Sequence, residues 1–140
     1  MRFGIVRAAV MLSAATLAAC SLAPTRPDNA AAIRAIQAGS SGTEVVVTGP
    51  VLRVLSAAQG PSGLHERFVI TVHDDGNTIP VLVADNISIA QAAPLQPGDD
   101  VTVKGELAVD PVGPVIHWTH RDPRFRHQPG FIQVGGKLYE

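Results

Sequence analysis

The chain has almost no cysteine, since Cys20 is the only one among its 140 residues. A single cysteine cannot form an intramolecular disulfide, a zinc site built from several thiolates or a redox CxxC pair. If Cys20 is itself modified, no thiol remains to act as a catalytic nucleophile. We therefore expect a domain that is held together by its hydrophobic core, even in an oxidising compartment.

Basic and aromatic residues are also scarce. The chain has 11 Lys and Arg against 12 Asp and Glu, and only 4% of its residues are aromatic. Proteins that bind single-stranded nucleic acid need stacking platforms along a basic groove, and duplex binders need a basic excess. Nucleic acid is therefore not an expected partner. The sequence also contains no Gly-x-Ser-x-Gly elbow, Walker loop or Rossmann fingerprint, so the enzyme classes that use them are not expected.

The N-terminus has the pattern of a bacterial lipoprotein signal. Two arginines flank the first residues, an apolar stretch follows over residues 8–17, and the small Ala18 and Ala19 lead into Cys20. The apolar stretch has the length of a signal peptide and is too short to span a bilayer. We predict a signal peptide over residues 1–19 and a mature chain that begins at a lipid-modified Cys20. The alternative is an ordinary secretory signal with a chance cysteine nearby.

The expected location is the cell envelope. Ser21 follows Cys20, and an Asp at that position often retains Gram-negative lipoproteins at the inner membrane. Serine therefore favours a lipid anchor in the outer membrane, with the domain facing the periplasm. Multiple acyl chains anchor a protein firmly. Residues 20–42 are predicted to form a proline-containing tether and a short helix that is capped by Asp28 and ended by Gly39.

From residue 43 onwards the spacing of hydrophobic residues changes from helical to alternating, which predicts an all-β domain over residues 43–140. Three strands, a short helix over residues 87–93 and two more strands are predicted, with a break in the first strand at Gly49-Pro50. That order is typical of a five-stranded oligonucleotide/oligosaccharide-binding (OB) barrel, with a small Greek-key barrel as the alternative. The predicted strands are 45–55, 67–72, 79–84, 101–109 and 115–119, followed by a short hairpin over residues 131–139.

Several blocks of sequence between residues 43 and 140 form a recognisable series. They are His65-Glu66-Arg67-Phe68-Val69-Ile70, Asp85-Asn86-Ile87, Leu95 with Pro97-Gly98-Asp99, Gly105-Glu106, Ile116-His117-Trp118-Thr119-His120-Arg121-Asp122-Pro123, His127, Gly130-Phe131-Ile132 and Tyr139. In this order they resemble the domain of unknown function 3465 family of small secreted bacterial proteins. The resemblance implies a secreted domain of this fold and implies no activity.

The chain departs from that family pattern at two places. The family usually has aromatic and Asn residues where this chain reads Leu107-Ala108-Val109-Asp110, and Trp where this chain has Phe131. If the family's aromatic surface binds a ligand, we expect the ligand of this chain to differ.

Three histidines lie within eleven residues, namely His117, His120 and His127, and His65 could join them from the second predicted strand. Neutral imidazole is the commonest metal ligand in proteins. On an extended strand, however, His117 and His120 point to opposite faces. They converge only if the chain turns after Trp118, so the spacing is not a zinc signature by itself.

We expect a non-catalytic binding or structural module, and two hypotheses remain open for its histidine block. In the first, a polar patch binds a metal, a glycan or an anionic envelope component; its residues are His65, His117, Trp118, His120, Arg121, Asp122 and His127. A divalent metal would be held there by His117, His120 and His127. In the second, the protein is a periplasmic metal-dependent hydrolase whose ligands come from the four histidines, with Asp122 orienting one of them. Trp118 is otherwise interpreted as a core residue beside Ile116.

Overall fold

The computed structural model describes residues 25–140, so the predicted signal peptide and Cys20 lie outside the described residues. One helix and seven strands follow one another, which confirms the predicted all-β class and the N-terminal helix. They are α1 (Asn29–Gln37), β1 (Thr43–Gly60), β2 (Gly63–Asp74), β3 (Asn77–Asn86), β4 (Asp100–Asp110), β5 (Gly113–His117), β6 (Phe131–Val134) and β7 (Lys137–Tyr139).

Helix α1 begins and ends where its capping residues predict. The Asp28 side chain accepts a hydrogen bond of 2.8 Å from the backbone N–H of Ala31, and Gly39 follows the helix with φ +66°. Ala32 and Ile33 are buried in the same core as the strands, so this short helix is stabilised by packing rather than by its own hydrogen bonds. It is the single helix of residues 25–140, and nothing in that range is a helix long and apolar enough to cross a membrane.

Five strands pair into a closed ring, in the order β1-β2-β3-β5-β4 and back to β1. Every pair in the ring is antiparallel except β3 and β5, which run parallel where Leu82 faces Val115. The β6–β7 hairpin continues the sheet from β4. The core fills the inside of the ring with side chains from all five strands, among them Phe68, Ile70 and Val83, which are fully buried.

Strand β1 is continuous where the sequence predicted a break at Gly49-Pro50. Up to Pro50 it pairs with β4, and from Val51 it pairs with β2. A Cβ atom on Gly49 would overlap with the backbone carbonyl oxygen of Thr71, so this approach requires glycine. The predicted break is therefore the point at which one long strand changes its partner.

The helix predicted over residues 87–93 is not formed, and that prediction was wrong. Asn86 does begin a turn, because its backbone oxygen accepts a hydrogen bond from the N–H of Ala90. The turn does not continue, since the N–H of Ala93 donates to the carboxylate of Glu66 on β2 at 2.9 Å. A single helical turn gains few hydrogen bonds for the residues that it fixes. The contact with the neighbouring strand therefore decides the conformation of this segment.

Candidate functional site

Polar residues collect at the end of the ring where β3 and β5 finish. Because these two strands run parallel, their carboxyl ends reach the same edge of the sheet. Strand β2 begins at that edge too, since His65 is paired with Asn86 at the end of β3. The topology thus brings His65 beside the histidine block that follows β5, although more than fifty residues separate them in sequence.

Strand β5 ends at His117 because Trp118 takes a left-handed conformation with φ +55°. The fifth strand therefore ends two residues before the end of the predicted strand 115–119, and the turn needed for the histidines to converge is present. The turn also directs Trp118 to the surface, where 39% of it is exposed. The interpretation of Trp118 as a core residue was wrong. Gly130 packs against this turn, since a Cβ there would overlap with the Trp118 carbonyl oxygen.

The loop after the turn is built around Asp122, whose side chain is buried. Its carboxylate accepts hydrogen bonds from the backbone N–H groups of Arg124 and Arg126, at 3.0 and 2.8 Å. It also accepts two from the Arg126 guanidinium, at 2.7 and 3.1 Å. The Arg126 hydrogen bonds and those N–H groups hold the pKa of Asp122 well below its usual range. Asp122 therefore fixes where Arg126 lies.

Four rings contact one another at this end of the molecule. The Trp118 and His127 rings are stacked, with centroids 4.9 Å apart and 10° between their planes. His117 is tilted against Trp118 at 4.7 Å, and His120 meets His127 edge-on at 5.0 Å. Aromatic contacts between these four rings help to hold the three imidazoles in place.

These rings border a cavity of about 230 Å³, which we call the histidine cavity. It takes in four of the five histidines of the chain and the only tryptophan. None of the described residues that line it is Asp or Glu. The lining residues are Ser62, His65, Ala84, Asn86, Ile89, His117, Trp118, His120, Arg126 and His127.

Three of the cavity histidines have a fixed tautomer. The Nδ1 atoms of His65, His120 and His127 lie 2.8, 3.0 and 2.8 Å from backbone carbonyl oxygens of residues close in sequence. A carbonyl oxygen can only accept, so Nδ1 carries the hydrogen and Nε2 is the acceptor of each neutral ring. His117 differs, because its Nε2 lies 3.6 Å from the Glu106 carboxylate. Burial lowers the pKa of His117, while Glu106 acts in the opposite direction.

Two carboxyl groups lie behind the cavity, on adjacent strands. Glu66 and Asp85 face each other in the β2–β3 register, and the buried Asp85 accepts a hydrogen bond of 2.8 Å from the Thr119 hydroxyl. Burial raises the pKa of both groups. The pKa of Glu66 reaches about 7. The nearby Asp85 also raises this pKa, whereas the hydrogen bond from the N–H of Ala93 lowers it. At neutral pH this pair therefore holds a proton part of the time.

A second, more open cavity of about 410 Å³ adjoins the histidine cavity and shares Trp118, Arg126 and His127 with it. Unlike the histidine cavity, it is lined by two carboxylates, Glu44 and Glu106. Burial raises the pKa of Glu44, and its Oε2 atom is buried without a hydrogen-bond partner among residues 25–140. The second cavity thus has a lining of mixed charge, whereas the charged lining of the histidine cavity is basic.

The family model described as "Protein of unknown function (DUF3465)" matches residues 14–140. This chain belongs to that family. The match confirms the resemblance seen in the sequence and includes every residue of the histidine cavity of this DUF3465 protein. The search of the curated proteins gave no match.

Within residues 25–140 of this DUF3465 protein, no group of three or more His, Cys, Asp or Glu side chains is arranged to hold a metal ion. The predicted ligands His117, His120 and His127 do border one cavity. His127, however, lies flat against Trp118, and His117 faces Glu106. The three-histidine ligand set that both metal hypotheses need is therefore not formed.

The structure brings five of the seven predicted patch residues to one cavity and leaves two outside its lining. Arg121 points away and forms an ion pair of 2.8 Å with Glu140, whereas Asp122 acts from beneath the loop. The predicted patch left out Arg126, although Arg121, Arg124 and Arg126 form a basic cluster in the sequence for which an anion contact was an alternative to a solvated loop. That cluster was the signal that could have found it. The cavity residues are His65, His117, Trp118, His120 and His127.

Proposed function

We propose that this protein is a cell-envelope lipoprotein whose OB-like barrel binds a small ligand in the histidine cavity without catalysing a reaction. The observation that carries the proposal is the cavity itself. It measures about 230 Å³ and combines four histidines, an arginine and a half-exposed tryptophan at one end of the ring. Concave sites with a few convergent polar groups beside an aromatic ring are the usual form of small-ligand sites.

The strand order supports the OB-like part of the proposal. The ring has the strand order β1-β2-β3-β5-β4, and the long strand β1 closes it by pairing with both β2 and β4. This pairing is the one expected of a five-stranded Greek-key barrel. The segment between β3 and β4, where such barrels usually carry a helix, is here a single turn followed by extended chain.

The cavity favours binding over catalysis because several of its polar side chains are held in fixed positions by hydrogen bonds to the backbone. The Nδ1 atoms of three histidines are bonded to backbone carbonyls, and the Asn86 side chain bonds to the backbone of residues 62 and 88. Groups fixed in this way present a pre-organised surface to a ligand. The metal-bound water that the hydrolase hypothesis requires would need three ligands, and the described residues do not provide such a set.

The lipid anchor is proposed on the signal pattern that ends at Cys20. We expect Cys20→Ala to abolish incorporation of labelled palmitate and to release the protein from the membrane fraction of the cell. Ser21→Ala is the matched control and should retain the label. An unlabelled wild-type chain would contradict the lipoprotein part of the proposal and leave the binding part intact.

Trp118 provides a direct test of binding, because it is the only tryptophan of the chain. The purified full chain is titrated with inorganic phosphate, citrate, neutral disaccharides and short neutral peptides while the emission of Trp118 is followed. We expect at least one of these probes to give a saturable change and to be recovered chemically unchanged. His127→Asn should weaken that binding, and His73→Asn, the histidine outside the cavity, should leave it intact. No saturable response to any probe would contradict the proposal.

A further inference from the structure

The charged and chargeable residues of the histidine cavity all have one sign. Its lining contains four imidazoles and one guanidinium and, among the described residues, no carboxylate. The chain as a whole carries a net charge of −1, so the lining of this cavity is more basic than the protein overall. A concave site lined by groups of one sign attracts ligands of the opposite sign.

Arg126 is held in position without using all of its donors. Its Nε and Nη2 atoms bond to the Asp122 carboxylate, which leaves the Nη1 hydrogens and one Nη2 hydrogen of the five guanidinium N–H groups. A guanidinium clamped by one carboxylate can therefore still donate to a second oxyanion from a fixed position. Arginine is the residue that most often recognises carboxylate and phosphate groups in this way.

The carboxyl groups nearest the cavity stand behind the imidazoles rather than among the lining residues. Asp85 on β3 acts on His120 and His65, and Glu106 on β4 lies 3.6 Å from Nε2 of His117. Glu66 on β2 lies beside Asp85, Asp122 lies under Arg126, and Glu44 acts on His127 from the second cavity. An ionised carboxylate behind an imidazole stabilises its protonated form, which then offers N–H donors and positive charge to the cavity. Burial raises the pKa of Glu66, Asp85 and Glu44, so these three lose their charge at a higher pH than an ordinary carboxyl group.

We propose that the histidine cavity is an oxyanion site, which binds a phosphate or carboxylate group between Arg126 and the imidazoles of His65, His120 and His127. The inference rests on the proposed function, because it names the ligand chemistry of that same cavity. The volume of about 230 Å³ is enough for a small anion or for the charged end of a larger molecule.

Binding strengthens as the pH falls from about 8 to about 5.5, the range in which histidines gain their second ring proton. Arg126 keeps its charge across this whole range, whereas burial lowers the pKa of His117. Phosphate itself gains a proton in this range and loses charge, whereas sulfate remains a dianion. We expect sulfate to bind roughly tenfold more tightly at the lower pH, the change produced by a shift of about one pKa unit in a linked group.

The test titrates the full chain with sulfate, inorganic phosphate and citrate at both pH values, following Trp118 emission and, independently, heat release. Arg126→Gln should weaken binding roughly tenfold or more, as expected when one charged hydrogen bond is lost. Arg124→Gln makes the same charge change two residues away, at a side chain that lines neither cavity, and should change nothing. His120→Asn should remove part of the pH dependence, while Asn Nδ2 can replace the Nδ1 donor that keeps the loop in place.

A further experiment distinguishes a free anion in solution from the headgroup of a lipid. Vesicles of phosphatidylcholine with phosphatidylglycerol are compared with phosphatidylcholine alone, using the Cys20→Ala chain so that the lipid anchor does not contribute. Binding to free phosphate assigns the site to a soluble anion, and binding to anionic vesicles alone, lost in Arg126→Gln, assigns it to a headgroup. Saturable binding of a neutral disaccharide with no response to any anion would overturn the oxyanion site and leave the proposed binding module standing. Equal loss of binding in Arg124→Gln and Arg126→Gln would also overturn it.

Discussion

The inside of the ring and the loop over its end are stabilised in opposite ways. Inside the ring the fully buried side chains are apolar and come mainly from strands, as with Phe68 and Ile70. Under the loop the buried side chains are polar, as with Asp85, Thr119 and Asp122, and each is held by hydrogen bonds. An apolar core tolerates small shifts of its members, whereas a buried polar group must keep a partner. The ring is therefore suited to carry the stability, and the loop to fix the positions of the cavity residues.

The largest effect should come from the ring. Phe68→Ala removes a fully buried aromatic side chain and is expected to lower the free energy of unfolding by about 3–5 kcal/mol. Phe125→Ala makes the same chemical change in the loop, where Phe125 is 90% exposed, and should change it by less than about 0.5 kcal/mol. Urea unfolding followed by circular dichroism measures both. Equal losses would show that the loop contributes to the core after all.

A smaller effect should come from the polar groups beneath the loop. Thr119→Val keeps the shape of the side chain and removes the hydroxyl that donates to the buried Asp85. The loss of the donor is expected to cost about 1–3 kcal/mol of folding stability. Thr102→Val is the control, because its hydroxyl is partly exposed and makes only a long contact of 3.4 Å. If Thr119→Val is as stable as wild type, Asp85 does not depend on this bond.

The same contrast explains how much the sequence could predict. Alternating residues such as Phe68, Ile70 and Val72 identified the strands, because in this ring the buried face follows a period of two. The first four strands extend further than predicted, since backbone pairing continues beyond the alternating residues. The helix over residues 87–93 failed because a distant side chain, Glu66, takes the N–H of Ala93. Local propensity carries no information about such a contact.

The site was less predictable than the strands for a related reason. The histidine block was recognisable as a cluster of chemical groups, and His65 joined it through the β2–β3 register. The exposure of Trp118 depends on a single left-handed residue, which the sequence does not mark because non-glycine residues rarely adopt that conformation. The place of Arg126 depends on the Asp122 side chain turning inward, and a loop sequence does not show in which direction a carboxylate points.

Next in size is a pH effect from the carboxyl pair. Burial raises the pKa of Glu66 from 4.5 to about 7, so the folded state binds a proton that the unfolded chain has released in that interval. The stability that Glu66 provides is therefore complete below about pH 4.5 and is lost as the pH rises towards 7. Glu66→Gln keeps an acceptor for Ala93 and should stabilise the protein by on the order of 1 kcal/mol at pH 8 but not at pH 4.

Thermal unfolding at pH 4 and pH 8 measures this difference, and Asp75→Asn makes the same charge change in an exposed turn as its control. The gain at pH 8 should be specific to Glu66→Gln. A stabilisation of the same size at both pH values would mean that packing, and not the ionisation of Glu66, is responsible.

The smallest change in global stability, and the most local one, is expected from Asp122→Asn. Asparagine has the same shape but a single acceptor oxygen, so it cannot bond to both N–H groups of the loop and to the Arg126 guanidinium at once. Because the loop lies outside the ring, the melting temperature should fall far less than in Phe68→Ala. Arg126 is released, the Trp118–His127 stack loosens, and the emission of Trp118 shifts. Asp99→Asn, in the turn before β4, should leave that emission unchanged. The contrary outcome is a melting temperature that falls as far as in Phe68→Ala while the Trp118 emission stays unchanged until the protein unfolds. It would mean that the loop belongs to the core and that the two regions do not have separate roles.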